Sequence, residues 1–114
     1  MRSRPVLKEI VRQHAEMAAF LWTVYDWHLL NPEENPEMDE VRLNRLIERL
    51  EAHLDGLRVA DEDGKRIAQE RYDAYPESGE LFVLRMLAAP RPIPIKQLNL
   101  AQVRDYLAAN LPQP

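Results

Sequence analysis

The sequence contains no cysteine, three glycines, two serines and one threonine in 114 residues. The missing cysteine excludes a disulfide scaffold, thiolate metal centres and a cysteine nucleophile. The three glycines stand apart from one another, so no glycine-rich loop can cradle a phosphate. Neither Ser3 nor Ser78 sits near a histidine in sequence or in the glycine-flanked turn that a serine nucleophile needs. Positive charge is also short: the net charge is −4 with both signs mixed along the chain. Nucleic-acid phosphates demand a basic patch, so no nucleic-acid partner is expected.

Long apolar runs are missing as well. The most apolar stretch, Met17–Leu30, is interrupted by Asp26 and His28, too short and too polar to insert across a bilayer. Met1-Arg2-Ser3-Arg4-Pro5 is basic, but Lys8, Glu9, Arg12 and Gln13 follow it. A signal peptide needs an uninterrupted apolar segment there, so a cytoplasmic location is expected.

Leucine and alanine dominate and β-branched residues are sparse, which favours helix; no segment reads as a strand. The nine prolines fall between apolar-periodic runs and act as punctuation. A first helix is expected from Pro5 to about Leu30, with a buried stripe of Leu7, Ile10, Val11, Met17, Ala18, Leu21 and Tyr25. Its polar residues Glu9, Arg12, Glu16, Thr23 and Asp26 form only a narrow stripe. Phe20, Trp22, Val24 and Trp27 occupy its other faces. A second helix is expected from Asn35, as cap, and Pro36, as first residue, to about Leu57 or Arg58. Leu43, Leu46, Ile47, Leu50, Leu54 and Leu57 are its buried stripe. Gly56 either caps this helix or lets a bulky first-helix side chain approach.

Asp61-Glu62-Asp63-Gly64 reads as an acidic turn, with Asp61 or Asp63 capping a third helix over about 65–74 on which Ile67, Ala68, Arg71 and Tyr72 recur. A fourth helix is expected over about 80–88, carrying Leu81, Phe82, Leu84 and Leu87. The run Pro90–Pro94 should be extended, and a short fifth helix should span about 100–109 behind Asn99. Ile93 and Ile95 should be buried if that helix docks in cis and should meet a second chain if it swings. The expected fold is an all-α single domain, a small bundle of about five helices. Residues 1–60 form a long helical hairpin, 61–89 a short helical pair, and 90–114 a proline-rich connector and terminal helix.

Few residues suggest chemistry. His14 and His53 lie on or beside the core-facing stripes of two helices that should pack together. With Asp55 they would make an acid–base or metal-dependent site. The simpler expectation is a pair of hydrogen-bonded histidines that fixes helix register. The spacing needed for a di-iron bundle or a zinc protease is absent. No metal and no cofactor is therefore expected. Trp22, Tyr25 and Trp27 are candidate partner-binding residues, because the first helix is apolar over more of its girth than four short neighbours readily cover.

Two segments carry a resemblance: His14-Ala15-Glu16-Met17-Ala18-Ala19-Phe20-Leu21-Trp22, and Leu46 to Ala60 with its core Ala52-His53-Leu54-Asp55-Gly56-Leu57-Arg58. Together they resemble the N-terminal region of a family of proteobacterial proteins in which a short helical head precedes alanine-rich HEAT-like repeats. The resemblance implies HEAT-like packing of helical hairpins. It also implies that His14, Phe20, Trp22, His53, Asp55 and Gly56 dock the first helix on the second. Some members of that family are encoded beside type VI secretion components, which implies an adaptor, chaperone or immunity role. The chain departs from the family at Asp61, where glycine is usual, and in lacking the long repeat array. The resulting expectation is a non-enzymatic helical module that binds another protein or a second copy of itself.

Overall fold

The structure is a computed structural model that describes residues 5–31 and 33–89, excluding the side chains of residues 5–7 and 29. These residues form four helices: α1 (Pro5–Leu30), α2 (Glu40–Val59), α3 (Glu62–Ala74) and α4 (Ser78–Ala88), with no strand among them. The expected fifth helix, and the placement of Ile93 and Ile95, lie outside the described residues.

The first connection is built by asparagines and an aspartate. Asn31 ends α1: its backbone N–H and its side-chain Nδ2 both donate to the Trp27 carbonyl at 2.9 Å. Asn35 was the expected cap of α2, but it instead closes a separate turn, accepting from the Glu37 N–H through Oδ1 at 3.2 Å and from the Met38 N–H through its carbonyl. The cap is Asp39, whose Oδ1 accepts from the Arg42 N–H at 3.0 Å. This delays α2 by four residues relative to the proline-based expectation. Both asparagine and aspartate can cap a first turn; here the Asn35 bond to Glu37 closes only a turn, while the Asp39 bond to Arg42 opens the helix.

Helix α2 runs through Gly56 to Val59, so Gly56 is not a cap. The turn that follows is made by Asp61, the one non-glycine residue with a positive φ (56°) among those described. A glycine would take that conformation without steric strain. Asp61 does stand at the α3 cap position, but its side chain accepts no capping bond.

The core is one apolar cluster to which all four helices contribute. Helix α2 supplies Leu46, Ile47, Leu50, Leu54 and Leu57, while Leu43 is only half-buried. Helix α3 adds Ile67 and Ala68, and α4 adds Phe82, Val83, Met86 and Leu87. On α4 the buried face is rotated from the expected one, leaving Leu81 and Leu84 half-buried.

The largest departure concerns α1. Its buried residues are Val11, Ala15, Ala18, Ala19, Leu21 and Trp22. Ile10 is exposed, Met17 and Tyr25 are half-buried, and Phe20 is exposed. The inner face is thus rotated toward the alanines. A helix that is apolar around most of its girth does not fix its own rotation, and close approach then selects the small side chains. Gly79 shows how close that approach is. A Cβ placed there would lie 2.5 Å from the Ala19 carbonyl oxygen and 2.6 Å from Thr23 Oγ1, so the start of α4 rests directly on the α1 backbone.

Candidate functional site

Two polar clasps flank the inner face of α1. The first joins it to α2. His14 and His53 bring their Nδ1 atoms to 2.9 Å, with ring centroids 5.2 Å apart and planes inclined at 55°. One imidazole donates N–H and the other accepts through its lone pair, so the contact holds one proton and not two. Burial lowers the His53 pKa below its ordinary value, and the nearby His14 and Arg49 charges push it the same way. Gly56 makes room for the clasp: a Cβ there would lie 2.5 Å from the Cδ2 and Nε2 atoms of His14. Of the two roles open to Gly56, close approach of a first-helix side chain is the one realised.

Asp55 does not belong to this cluster. It is exposed and accepts from Arg58 at 2.9 Å. Among the described residues no group of three or more His, Asp and Glu side chains converges as metal ligands would. The two histidines share one proton between them, and among the described residues no carboxylate bonds to either ring.

The second clasp joins α1 to α3 and α4. The Arg71 guanidinium donates to the Glu80 carboxylate at 3.1 Å, reaches the Glu16 carboxylate at 3.6 Å, and lies 4.3 Å from the centre of the Tyr75 ring. Glu80 is buried, and a buried carboxylate needs such a partner. An open groove of about 280 Å³ beside Arg71 is lined by Arg12, Glu16, Ile67, Glu70 and Tyr75 among others. Acids and bases alternate around it, and its central cation is already shared between two carboxylates, so it presents no net charge to a ligand. Arg71 falls on the repeating track of α3, which was the sequence signal for its inward position. Its partner Glu80 carried no signal, because the pairing is set by the α3–α4 turn.

The tryptophans separate. Trp22, a candidate partner-binding residue, is 5% exposed and stacks on Phe82 with ring centroids 4.1 Å apart and planes 4° from parallel. It belongs to the core because its position points along the alanine face, where α4 packs. Tyr25 is half-buried beside it, 6.0 Å between ring centroids, and burial raises the pKa of its hydroxyl. Trp27 is 46% exposed. Phe20, expected to dock α1 on α2, is 59% exposed and cannot serve that role. Phe20 and Trp27 are seven residues apart, two turns along one side of the helix, and both point away from the bundle. Leu30, at the end of the same helix, and Val41, near the start of α2, are also exposed.

No helix among the described residues is long and apolar enough to cross a membrane. Comparisons with protein families, with curated proteins and with solved structures found no match to this chain.

Proposed function

We propose that this chain is a non-enzymatic helical module that binds another protein through the outward face of α1. The observation that carries the reading is the exposure of Phe20 and Trp27 on one side of a helix whose opposite side is packed into the core. Single exposed apolar residues are ordinary. Two large aromatic rings two turns apart on a rigid helix have the spacing by which amphipathic helices anchor in a partner, and aromatic residues carry much of the binding energy in such contacts. HEAT-like packing of the hairpins, a cytoplasmic location, and an adaptor, chaperone or immunity role beside a bacterial secretion system belong to the same reading. The packing and the role rest on the resemblance carried by the His14–Trp22 and Leu46–Ala60 segments; the location rests on the cysteine-free composition, which fits a reducing compartment.

An acid–base or metal-dependent enzyme centred on His14, His53 and Asp55 is the second reading. The 2.9 Å approach of the two imidazoles favours it, and the diversion of Asp55 to Arg58 weighs against it.

The double substitution Phe20→Glu, Trp27→Glu tests the first reading. The variant should melt within a few degrees of the native chain, since exposed positions change stability by only about 0.5 kcal/mol, and it should lose association. A fall in melting temperature as large as that of a core truncation would show that the face is part of the fold, and would overturn the reading.

A further inference from the structure

The two aromatic rings on the outward face of α1 belong to a longer apolar row. Ile10, Gln13, Met17, Phe20, Val24 and Trp27 follow one another at alternating steps of three and four residues. That is the first-and-fourth pattern of a heptad, sustained over three repeats with one polar interruption, and it is the narrow seam that two helices share in a coiled coil. Ile10 is 44% exposed, and Phe20 and Trp27 are exposed with it. Met17 and Val24 are half-buried at the edge of the core. The seam is therefore exposed at Ile10, Phe20 and Trp27 and rests on the core at Met17 and Val24.

The two edges of the seam carry opposite charge. Along the edge away from α2 lie Glu9 and Glu16, both exposed, each also meeting a cation of its own chain, Arg12 at 3.0 Å and Arg71 at 3.6 Å. The other edge is the α2 side, because His14, next to the seam, touches His53 of α2. Arg45 and Arg49 precede His53 at helical steps of four. Both are exposed and neither forms an ion pair among the described residues. Arg49 lies one helical turn before His53, whose ring meets His14 of α1, so it stands near the rim where α2 meets α1.

Resting on the reading of this face as a docking surface, we infer that its partner is a second copy of the chain, packed parallel and in register along Ile10–Trp27. In a parallel pair the left flank of each helix meets the right flank of the other. The Glu9/Glu16 edge of one copy then faces the Arg45/Arg49 edge of its partner, and two-fold symmetry repeats the match. An antiparallel pair would set acid against acid and arginine against arginine. Gln13, the one polar residue in the seam, meets its own copy in the parallel arrangement, where the two amides can bond to each other and fix the register.

Because the chain has no cysteine, a single introduced thiol reports the geometry. Under mild oxidation of the full-length Gln13→Cys variant, a disulfide-linked dimer is expected, since a disulfide requires Cα atoms within about 7 Å. In an antiparallel pair centred on the seam the two thiols would sit about 16 Å apart along the axis and would not join. Lys65→Cys, on exposed α3, should stay unlinked. Light scattering of the native chain should show a dimer whose dissociation constant rises about 30-fold or more in Phe20→Glu. It should rise also in Arg45→Glu/Arg49→Glu, with circular dichroism unchanged in both. A dimer in which Gln13→Cys does not cross-link overturns the parallel register. A monomer at all concentrations overturns the self-association while leaving the docking surface for a different protein. Destabilisation of the monomer by Phe20→Glu/Trp27→Glu overturns both.

Discussion

Trp22 and Trp27 lie five residues apart on one helix and have opposite fates. The first is stacked face to face on Phe82 in the core, and the second is nearly half exposed. The difference does not come from the side chain, which is the same. It comes from the rotation of α1 about its own axis. Alanines 15, 18 and 19 and the glycine at the start of α4 let neighbours approach on one side. Trp22 is carried inward with them, and Trp27 is left outside. The inner face holds the fold; the outer face is apolar surface that the fold does not use.

This contrast can be broken most forcefully at Trp22. Trp22→Ala should destabilise the chain by about 3–5 kcal/mol, the usual range for deleting a buried aromatic ring, measured by denaturant unfolding. Next in size is Arg71→Ala, which leaves the buried Glu80 carboxylate without its cation. Because the guanidinium is about 30% exposed, the loss should be about 1–3 kcal/mol rather than the full penalty of a sealed pair.

The His14–His53 clasp should respond to pH. Folding lowers the His53 pKa below 6.5, so the folded chain binds fewer protons than the unfolded one in the window just beneath that value. The stability associated with the clasp is therefore complete above about pH 6.5 and is lost as pH falls through the lower folded value. The melting temperature should decline between pH 7 and pH 5, and His53→Gln, which cannot titrate, should show a shallower decline. Equal slopes in the two chains would contradict this. The smallest effect is expected at the outer face: Trp27→Ala should change unfolding free energy by no more than about 0.5 kcal/mol.

The same contrast explains what the sequence could reveal. On α2 the leucine stripe is narrow and the opposite side is charged, so five of six expected core residues are buried and Leu43 alone is marginal. The contact of His14 with His53 is legible chiefly from α2, where His53 stands beside the well-defined leucine stripe. On α1 the apolar residues nearly encircle the helix, so periodicity could not choose a rotation. Ile10, on the expected buried stripe, is exposed, and Trp22, on one of the other faces, is buried; Phe20, which the resemblance makes a docking residue, is exposed. Glu80 was invisible because its burial depends on the partner Arg71 brings across a turn. The start of α2 was misplaced because Pro36 and Asp39 both suit a helix beginning, and only the hydrogen bond to the Arg42 N–H separates them.

The central claim, that one face of α1 belongs to the fold and the other to a partner, is most directly tested by fluorescence, since these are the two tryptophans of the chain. Acrylamide quenching of Trp27→Phe, which retains Trp22, should be weak and independent of protein concentration. Quenching of Trp22→Phe, which retains Trp27, should be strong in dilute solution and should weaken as the protein is concentrated. If Trp27 is as shielded as Trp22 at every dilution, the outward face is covered by the chain itself and the account is wrong.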